Sequence, residues 1–581
     1  MKLRLVACVA LMLPLLAVAG CPGGGGATTS GAADDTTSTT GSSSTGTIGS
    51  TITTSLPTTS EGSITTSLPT TSEGSSSTGE PEACVPGQPR ECYRGPADAL
   101  GVGACVAGSQ ICQPDGNYGP CAGDVLPGVE RCDTPDDENC DGAPGCSGTA
   151  LWSLAFPRGE AFGDLSYFKA SDVVITSASE VWVTGDFIQK TEIAGVPLAA
   201  EFIGSFLAKF GVDGAPVFVR RFGGGEMFSS LRTTAMALNS DGNVVIGGYY
   251  KNAASIDDVV LTPTENESVQ GVFVAAVDSD GDLLWVNHSA GGDHFGDHQD
   301  QQPRDLLAGP DGQVVVVGGL RDRLDFGGPS LTSLKHYNSI FAVALDRDGG
   351  HLWSRSFSGT SEPYSISAYG ATRDDAGSVW ITGNMNGDVD FGDGPWTAAQ
   401  YLTYILKLDA KGQLEWSRMH SVGNPFSVRL APHPGGGVYF GASFQGPYDL
   451  GNGASGDTGG LRATVLAELD ATGAAVWHKQ YDQGYGSDLA DLTSDTAGYG
   501  IWAGVRYNAP TTGFFTVKVK PDGTTLWSQL FVHDGESIGS DVAVDPGGRI
   551  AHLGNFYGTL DVGAGPMTGP DGSSFVALFR P

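Results

Sequence analysis

Basic residues are scarce in this chain. Lys and Arg together number 31 against 65 Asp and Glu, a net charge of −34 over 581 residues. Nucleic acid is excluded as a partner, because such binding is driven by neutralising phosphates with Lys and Arg. A polybasic membrane-surface protein is excluded on the same ground. No stretch is apolar for the roughly 20 residues that a spanning helix needs, and no segment has sustained 3.6-residue periodicity. A polytopic membrane protein and a coiled coil are therefore excluded. No cysteine occurs after Cys146. What is abundant is glycine, 87 residues, with 32 prolines and a mean hydropathy of −0.07. That balance fits turn-rich β structure and linkers in an exported, well-solvated protein.

The N-terminus reads as an address. Lys2 and Arg4 precede the apolar run Leu5 to Leu16, then Val18-Ala19-Gly20-Cys21. The order is that of an export signal over residues 1–20. Val18 to Cys21 resembles the lipobox of bacterial lipoproteins, which implies cleavage before Cys21 and lipid modification of its thiol. A plain secretory signal with an incidental cysteine is the rival. The resemblance places the protein in the bacterial cell envelope, anchored to the outer membrane on its periplasmic or outer face. With Cys21, residues 21–80 form a Ser/Thr/Gly-rich linker without Lys, Arg or aromatics, and Ile52–Ser63 recurs unchanged at 64–75. Such a segment cannot offset its ordering entropy by burial and is expected to be a disordered stalk, spanning roughly 40–45 Å as a flexible coil.

Residues 81–147 hold Cys84, Cys92, Cys105, Cys112, Cys121, Cys132, Cys140 and Cys146. An even, dense set in an exported segment with almost no aliphatic core predicts a module of four disulfides, its connectivity open. Zinc is the weaker reading, since paired C-x-x-C knuckles are absent. Within the module, Asp133, Asp136, Asp137, Asn139 and Asp141 place five oxygen side chains in nine residues, followed by Gly142. Hard oxygen ligands at close spacing suit Ca²⁺, and an acidic loop between bridged cysteines is the plain alternative. The stretch Glu130 to Gly142 resembles the MopE-like metal-binding motif of secreted bacterial proteins, notably myxobacterial ones. It departs from that motif at Thr134-Pro135, where glycine is usual.

From 148 to 581 one pattern returns: an apolar strand, an Asp-x-x-Gly-type turn and an aromatic residue. Val274–Trp285, Val343–Trp353, Leu406–Trp416, Ala467–Trp477 and Val517–Trp527 are copies, with Phe218 in the Trp place of a weaker one. Between copies lies a strand, a polar turn and a second strand ending in glycine, then a short extension such as Val389-Asp390-Phe391-Gly392. Period-2 alternation with Asp-Gly turns gives two hairpins per copy. The prediction is an all-β chain whose body is a seven-bladed β-propeller with each Trp between adjacent blades. Ala150–Phe156 carries a Trp strand without a partner, and the chain ends on a strand lacking its Trp strand, so the termini are expected to pair in a Velcro closure. The repeat resembles the bacterial SBBP propeller family. Asp470 to Trp477 also resembles the docking motif of quinoprotein propellers and BamB-type assembly lipoproteins.

No Gly-x-Ser-x-Gly elbow, His-Glu-x-x-His or phosphate-binding loop is present. Gly451 to Gly456 spells G-x-G-x-x-G without a following helix. Most carboxylates are expected in the repeated turns, where Asp is favoured for its turn chemistry, and Asp278-Ser-Asp280-Gly-Asp282 is read as such a turn. Asp293, His294, Asp297 and His298 break the repeat and form a second, weaker metal or ligand candidate. These features predict no catalytic residues, no cofactor other than Ca²⁺, and a non-catalytic envelope lipoprotein that displays a propeller to a protein or glycan. The alternatives are a funnel-site hydrolase or lyase and an envelope-assembly scaffold.

Overall fold

The computed structural model describes residues 84–581 except 133, 144, 157–167, 224–228, 263–269, 290–300, 335–336, 423–424, 482–485, 508–511, 534 and 536. Among the described residues there is no α-helix. The strands pair into successive four-stranded antiparallel meanders. Phe168–Ile175, Val181–Ile193, Val196–Phe210 and Pro216–Phe222 form the first. Later meanders begin on Ser230–Leu238, Pro303–Ala308, Ser365–Arg373, Ser427–His433, Ser487–Ser494 and Ser537–Val544. These initial strands line a common central channel. The fold is a β-propeller, all-β as expected. Ala150–Phe156 pairs antiparallel with Pro566–Phe579, so the last meander is assembled from both ends of the described chain. The pairing satisfies edges that would otherwise offer a template for association.

The repeated Trp explains how meanders adhere. Trp152 Nε1–H donates to the Val212 carbonyl at 2.9 Å, Trp353 to Ala410 at 3.2 Å and Trp477 to Pro521 at 2.9 Å, each in the turn of the following meander. The turn glycine lies beneath the ring. A Cβ added at Gly349, whose φ is +80°, would stand 2.6 Å from Trp285 Cε3. The turn Asp holds that conformation: Asp346 Oδ1 accepts from the N–H groups of Asp348 and Gly350 at 3.0 and 2.7 Å. Asp278, Asp409 and Asp470 do the same in their turns. Gly349→Ala therefore meets a steric and a left-handed backbone penalty together, and should cost about 1 kcal/mol or more. Urea melts against the wild type measure it; an unchanged midpoint would contradict the docking role.

The cysteine-rich region contains Pro89–Cys92 paired with Gly108–Ile111 and four disulfides: Cys84–Cys112, Cys92–Cys121, Cys105–Cys140 and Cys132–Cys146. Its core is small, Ala99 packing with the buried Cys105–Cys140 bridge. Covalent staples therefore carry much of its stability. The region is seated on the closing meander. Arg580 donates to both oxygens of Asp141 at 3.0 Å, and Asn139 Nδ2 donates to the Gly547 carbonyl at 3.3 Å.

Candidate functional site

The central channel holds a cavity of about 330 Å³ walled mainly by polar groups. Four aspartates project into it: Asp172, Asp305, Asp491 and Asp541. Each occupies the same register position, opposite the residue that precedes the glycine of the second strand: Thr184, Val317, Ala503 and Leu553 respectively. A bulge just before that position turns the side chain toward the axis. The corresponding places in the other meanders hold Ala235, Gly370 and Leu430.

Each carboxylate also reaches the next meander. Asp172 accepts from the Met236 N–H at 2.6 Å, Asp305 from Ala371 at 2.9 Å, Asp491 from Val542 at 3.2 Å and Asp541 from Val173 at 2.9 Å. Asp541 lies within hydrogen-bonding reach of Asp172 and Asp491, so three carboxyls from adjacent inner strands share one wall. Arg429 Nε is 3.6 Å from Asp491 Oδ1, and its Nη1 donates to the Tyr369 carbonyl at 2.9 Å. Arg304 and Tyr369 complete the polar lining.

The four carboxyls are half-buried in surface terms, yet the surrounding ring of strands strips much of their hydration. Burial pushes Asp172 and Asp305 up to about 7. Asp491 and Asp541 rise well above the usual carboxylate range, through burial first and then through the charge of a neighbour, Asp541 for Asp491 and Asp172 for Asp541. Carboxylates this close cannot all ionise together. At neutral pH the wall therefore holds protonated and ionised carboxyls side by side, a proton donor next to a proton acceptor. Burial also raises the Tyr369 phenol, whose oxygen accepts from Asn384 Nδ2 at 2.8 Å.

The residues singled out from sequence lie elsewhere. Asp137 is buried and accepts from the N–H groups of Asp141 and Gly142 at 3.1 and 2.9 Å. Asn139 Oδ1 accepts from Asp141 N–H, and Asp141 is held by Arg580. Asp136 borders a shallow depression with Pro135 and Gly142. Among the described residues no group of three or more His, Cys, Asp or Glu is arranged to hold a metal ion. Asp133, Cys21 with the signal and stalk, and the loop of Asp293, His294, Asp297 and His298 lie outside the described residues. The channel aspartates were missed, although a signal was present. Asp305, Asp491 and Asp541 each stand seven residues before a turn glycine, Gly312, Gly498 and Gly548.

No family model matches the chain, and comparison with curated proteins finds no match. The MopE-like and SBBP resemblances thus rest on the residues quoted for them. Solved structures of similar fold include the β-propeller domain of the Trilobed protease from Pyrococcus furiosus, at 7% identity and TM-score 0.34, covering 67% of this chain and 89% of that one. An ulvan lyase is similar at 10% identity and TM-score 0.32, over 57% and 80%. A puromycin hydrolase variant is similar at 16% identity and TM-score 0.33, over 83% and 59%. The likeness is one of fold. The expectation of a non-catalytic protein is corrected at the channel: it assigned the carboxylates mainly to turns, whereas four converge there.

Proposed function

We propose that the channel is the active site of a propeller-type hydrolase or lyase working by acid–base catalysis. The observation that carries this reading is Asp541 within hydrogen-bonding reach of both Asp172 and Asp491 in a channel open to solvent. A carboxyl protonated at neutral pH can give its proton to a leaving group, while an ionised neighbour takes one from water or from a carbon acid. Arg304 and Arg429 would hold an anionic part of the substrate. Turnover of a panel of neutral and uronic-acid polysaccharides, aryl glycosides and aminoacyl amides tests the proposal. New reducing ends without ultraviolet absorbance mark a hydrolase, and an unsaturated product mark a lyase; no turnover across the panel counts against both.

A second reading is favoured by the four hydrogen bonds to backbone N–H groups of the next meander. In that reading the aspartates form a belt that ties inner strands together, and their substitution would reduce stability rather than turnover.

The envelope placement belongs to the same proposal, with lipid on Cys21 and residues 22–80 as tether. Cys21→Ser should move the protein from the membrane to the soluble fraction, and mass spectrometry of the mature N-terminal peptide should find acyl chains on Cys21. A membrane-bound serine variant would contradict the anchor.

A further inference from the structure

The turn that completes the closing meander is built differently from the others. Elsewhere the glycine beneath a docking aromatic belongs to one continuous hairpin, as Gly214 does under Trp152 and Gly412 under Trp353. Under Trp527 that place is taken by Gly148, with φ +60°, in the stretch leading out of the cysteine-rich region. A Cβ added to Gly148 would stand 3.1 Å from the Trp527 ring. Two segments distant in the chain assemble this turn: the Gly148 N–H donates to the Pro581 carbonyl at 3.1 Å, and the Arg580 N–H to the Thr149 carbonyl at 2.9 Å. The Trp527 Nε1–H is buried without a hydrogen-bond partner among the described residues, whereas Trp152, Trp285, Trp353 and Trp477 each donate to a turn carbonyl. The seam thus lacks both the covalent link and the indole hydrogen bond that secure those turns.

The cysteine-rich region bridges this seam. Asp141, its side chain buried, accepts from Arg580 Nη1 at 3.0 Å with both oxygens and lies 3.8 Å from Arg549 Nη2. Arg580 follows the strand Pro566–Phe579 and Arg549 precedes Ile550–Asp561, so one carboxylate ties two strands of the closing meander. Asn139 adds its bond to the Gly547 carbonyl, and Gln529 Nε2 donates to the Ser147 carbonyl at 3.4 Å. A single bridge, Cys132–Cys146, closes the loop that carries Asn139 and Asp141, and Cys146 stands two residues before Gly148. Both of its cysteines are half-buried, whereas Cys105 and Cys140 are buried. Lys518 Nζ, ion-paired with Asp495 at 3.1 Å, donates to Cys146 Sγ at 4.0 Å. A cation at that sulfur favours its departure as a thiolate.

We propose that Cys132–Cys146 is a redox-sensitive clasp: closed, it holds Ala150–Phe156 against Pro566–Phe579, and its reduction by a dithiol protein lets the two strands part. A thiolate of the reductant attacks Cys132 Sγ, the bond between the two cysteine sulfurs breaks, and Cys146 leaves as a thiolate beside Lys518. The second thiolate of the reductant then displaces Cys132, and the reductant becomes a disulfide. Two electrons pass to the cysteine pair, while the thiol protons of the reductant go to water and to Cys132. This inference is independent of the channel reading.

The test treats folded, full-length protein with dithiothreitol in native buffer, stops the reaction by alkylation at intervals, and reads cysteine state and amide hydrogen exchange by mass spectrometry. Cys132 and Cys146 should become alkylated at least tenfold faster than Cys105 and Cys140. In molecules with that bridge open, the amides of Ala150–Phe156 should exchange at least tenfold faster, while those of Ser365–Arg373, in another meander, stay as they were. Arg580→Met removes the contact with Asp141 and leaves every bridge in place. It should show the faster exchange before any reductant is added and gain less than twofold more from reduction. The proposal is overturned if Cys105–Cys140 opens as readily as Cys132–Cys146. It is equally overturned if exchange of Ala150–Phe156 is unchanged once Cys132–Cys146 is open, or rises only when other bridges open.

Discussion

Asp541→Asn should lower turnover by a factor of 10²–10⁴ while leaving the melting midpoint at pH 7 unchanged or slightly higher. Asparagine keeps an acceptor for the Val173 N–H, seen at 2.9 Å in the native protein, so the link between first and last meanders survives. What disappears is a protonatable carboxyl beside Asp172 and Asp491. The neutral amide also removes the cost of placing charge in a dehydrated ring, which is why the midpoint should not fall. Turnover of the best panel substrate and calorimetric melting, measured on the same preparations, check it. A midpoint lowered by several degrees with turnover per folded molecule intact would favour the structural belt.

The second large effect is a loss of stability as pH rises. Asp172 and Asp305 are pushed up to about 7, and Asp491 and Asp541 are raised well above the usual carboxylate range, so the folded state binds protons that the unfolded chain, with carboxyls near 3.9, has released. The stability from these groups is complete below the unfolded value and is lost as pH climbs through about 7. Each such carboxyl contributes a slope of about 1.4 kcal/mol per pH unit within that window. Asp186, also pushed up to about 6 by burial, adds to it. Asp374 is held below the usual range despite its burial, through hydrogen bonds from Trp380 and Ser378 and its pair with Lys407, and acts in the opposite direction only at lower pH. The midpoint should therefore fall by about 5 °C or more between pH 5.5 and pH 8. Asp541→Asn should shrink that fall. A midpoint flat or rising over this interval would mean that the carboxyls ionise without penalty.

The propeller was legible because its defining contacts are local in sequence. Trp353 and the turn Asp409–Gly412 recur at a regular interval, and each Asp makes hydrogen bonds two and four residues along its own turn. The channel was harder to see because Asp305 and Asp491 lie far apart in sequence and meet only when the ring forms. Their common signature, an aspartate seven residues before a turn glycine, looks like the approach to a turn. The seating of the cysteine-rich region was illegible for a related reason: Asp141 and Arg580 are separated by 439 residues. Within the acidic loop, the hydrogen bonds that Asp137 accepts from its own turn are local, while the arginine that holds Asp141 comes from the far end of the chain.

The claim on which the functional account stands is that the channel keeps a protonated carboxyl at neutral pH. Carboxyl ¹³C resonances of aspartate-labelled protein, titrated from pH 4 to pH 9, test it without knowledge of the substrate. The account predicts at least one resonance with a midpoint near 7 that vanishes or shifts in Asp172→Asn or Asp541→Asn. Channel aspartates that all titrate below pH 5 would contradict it.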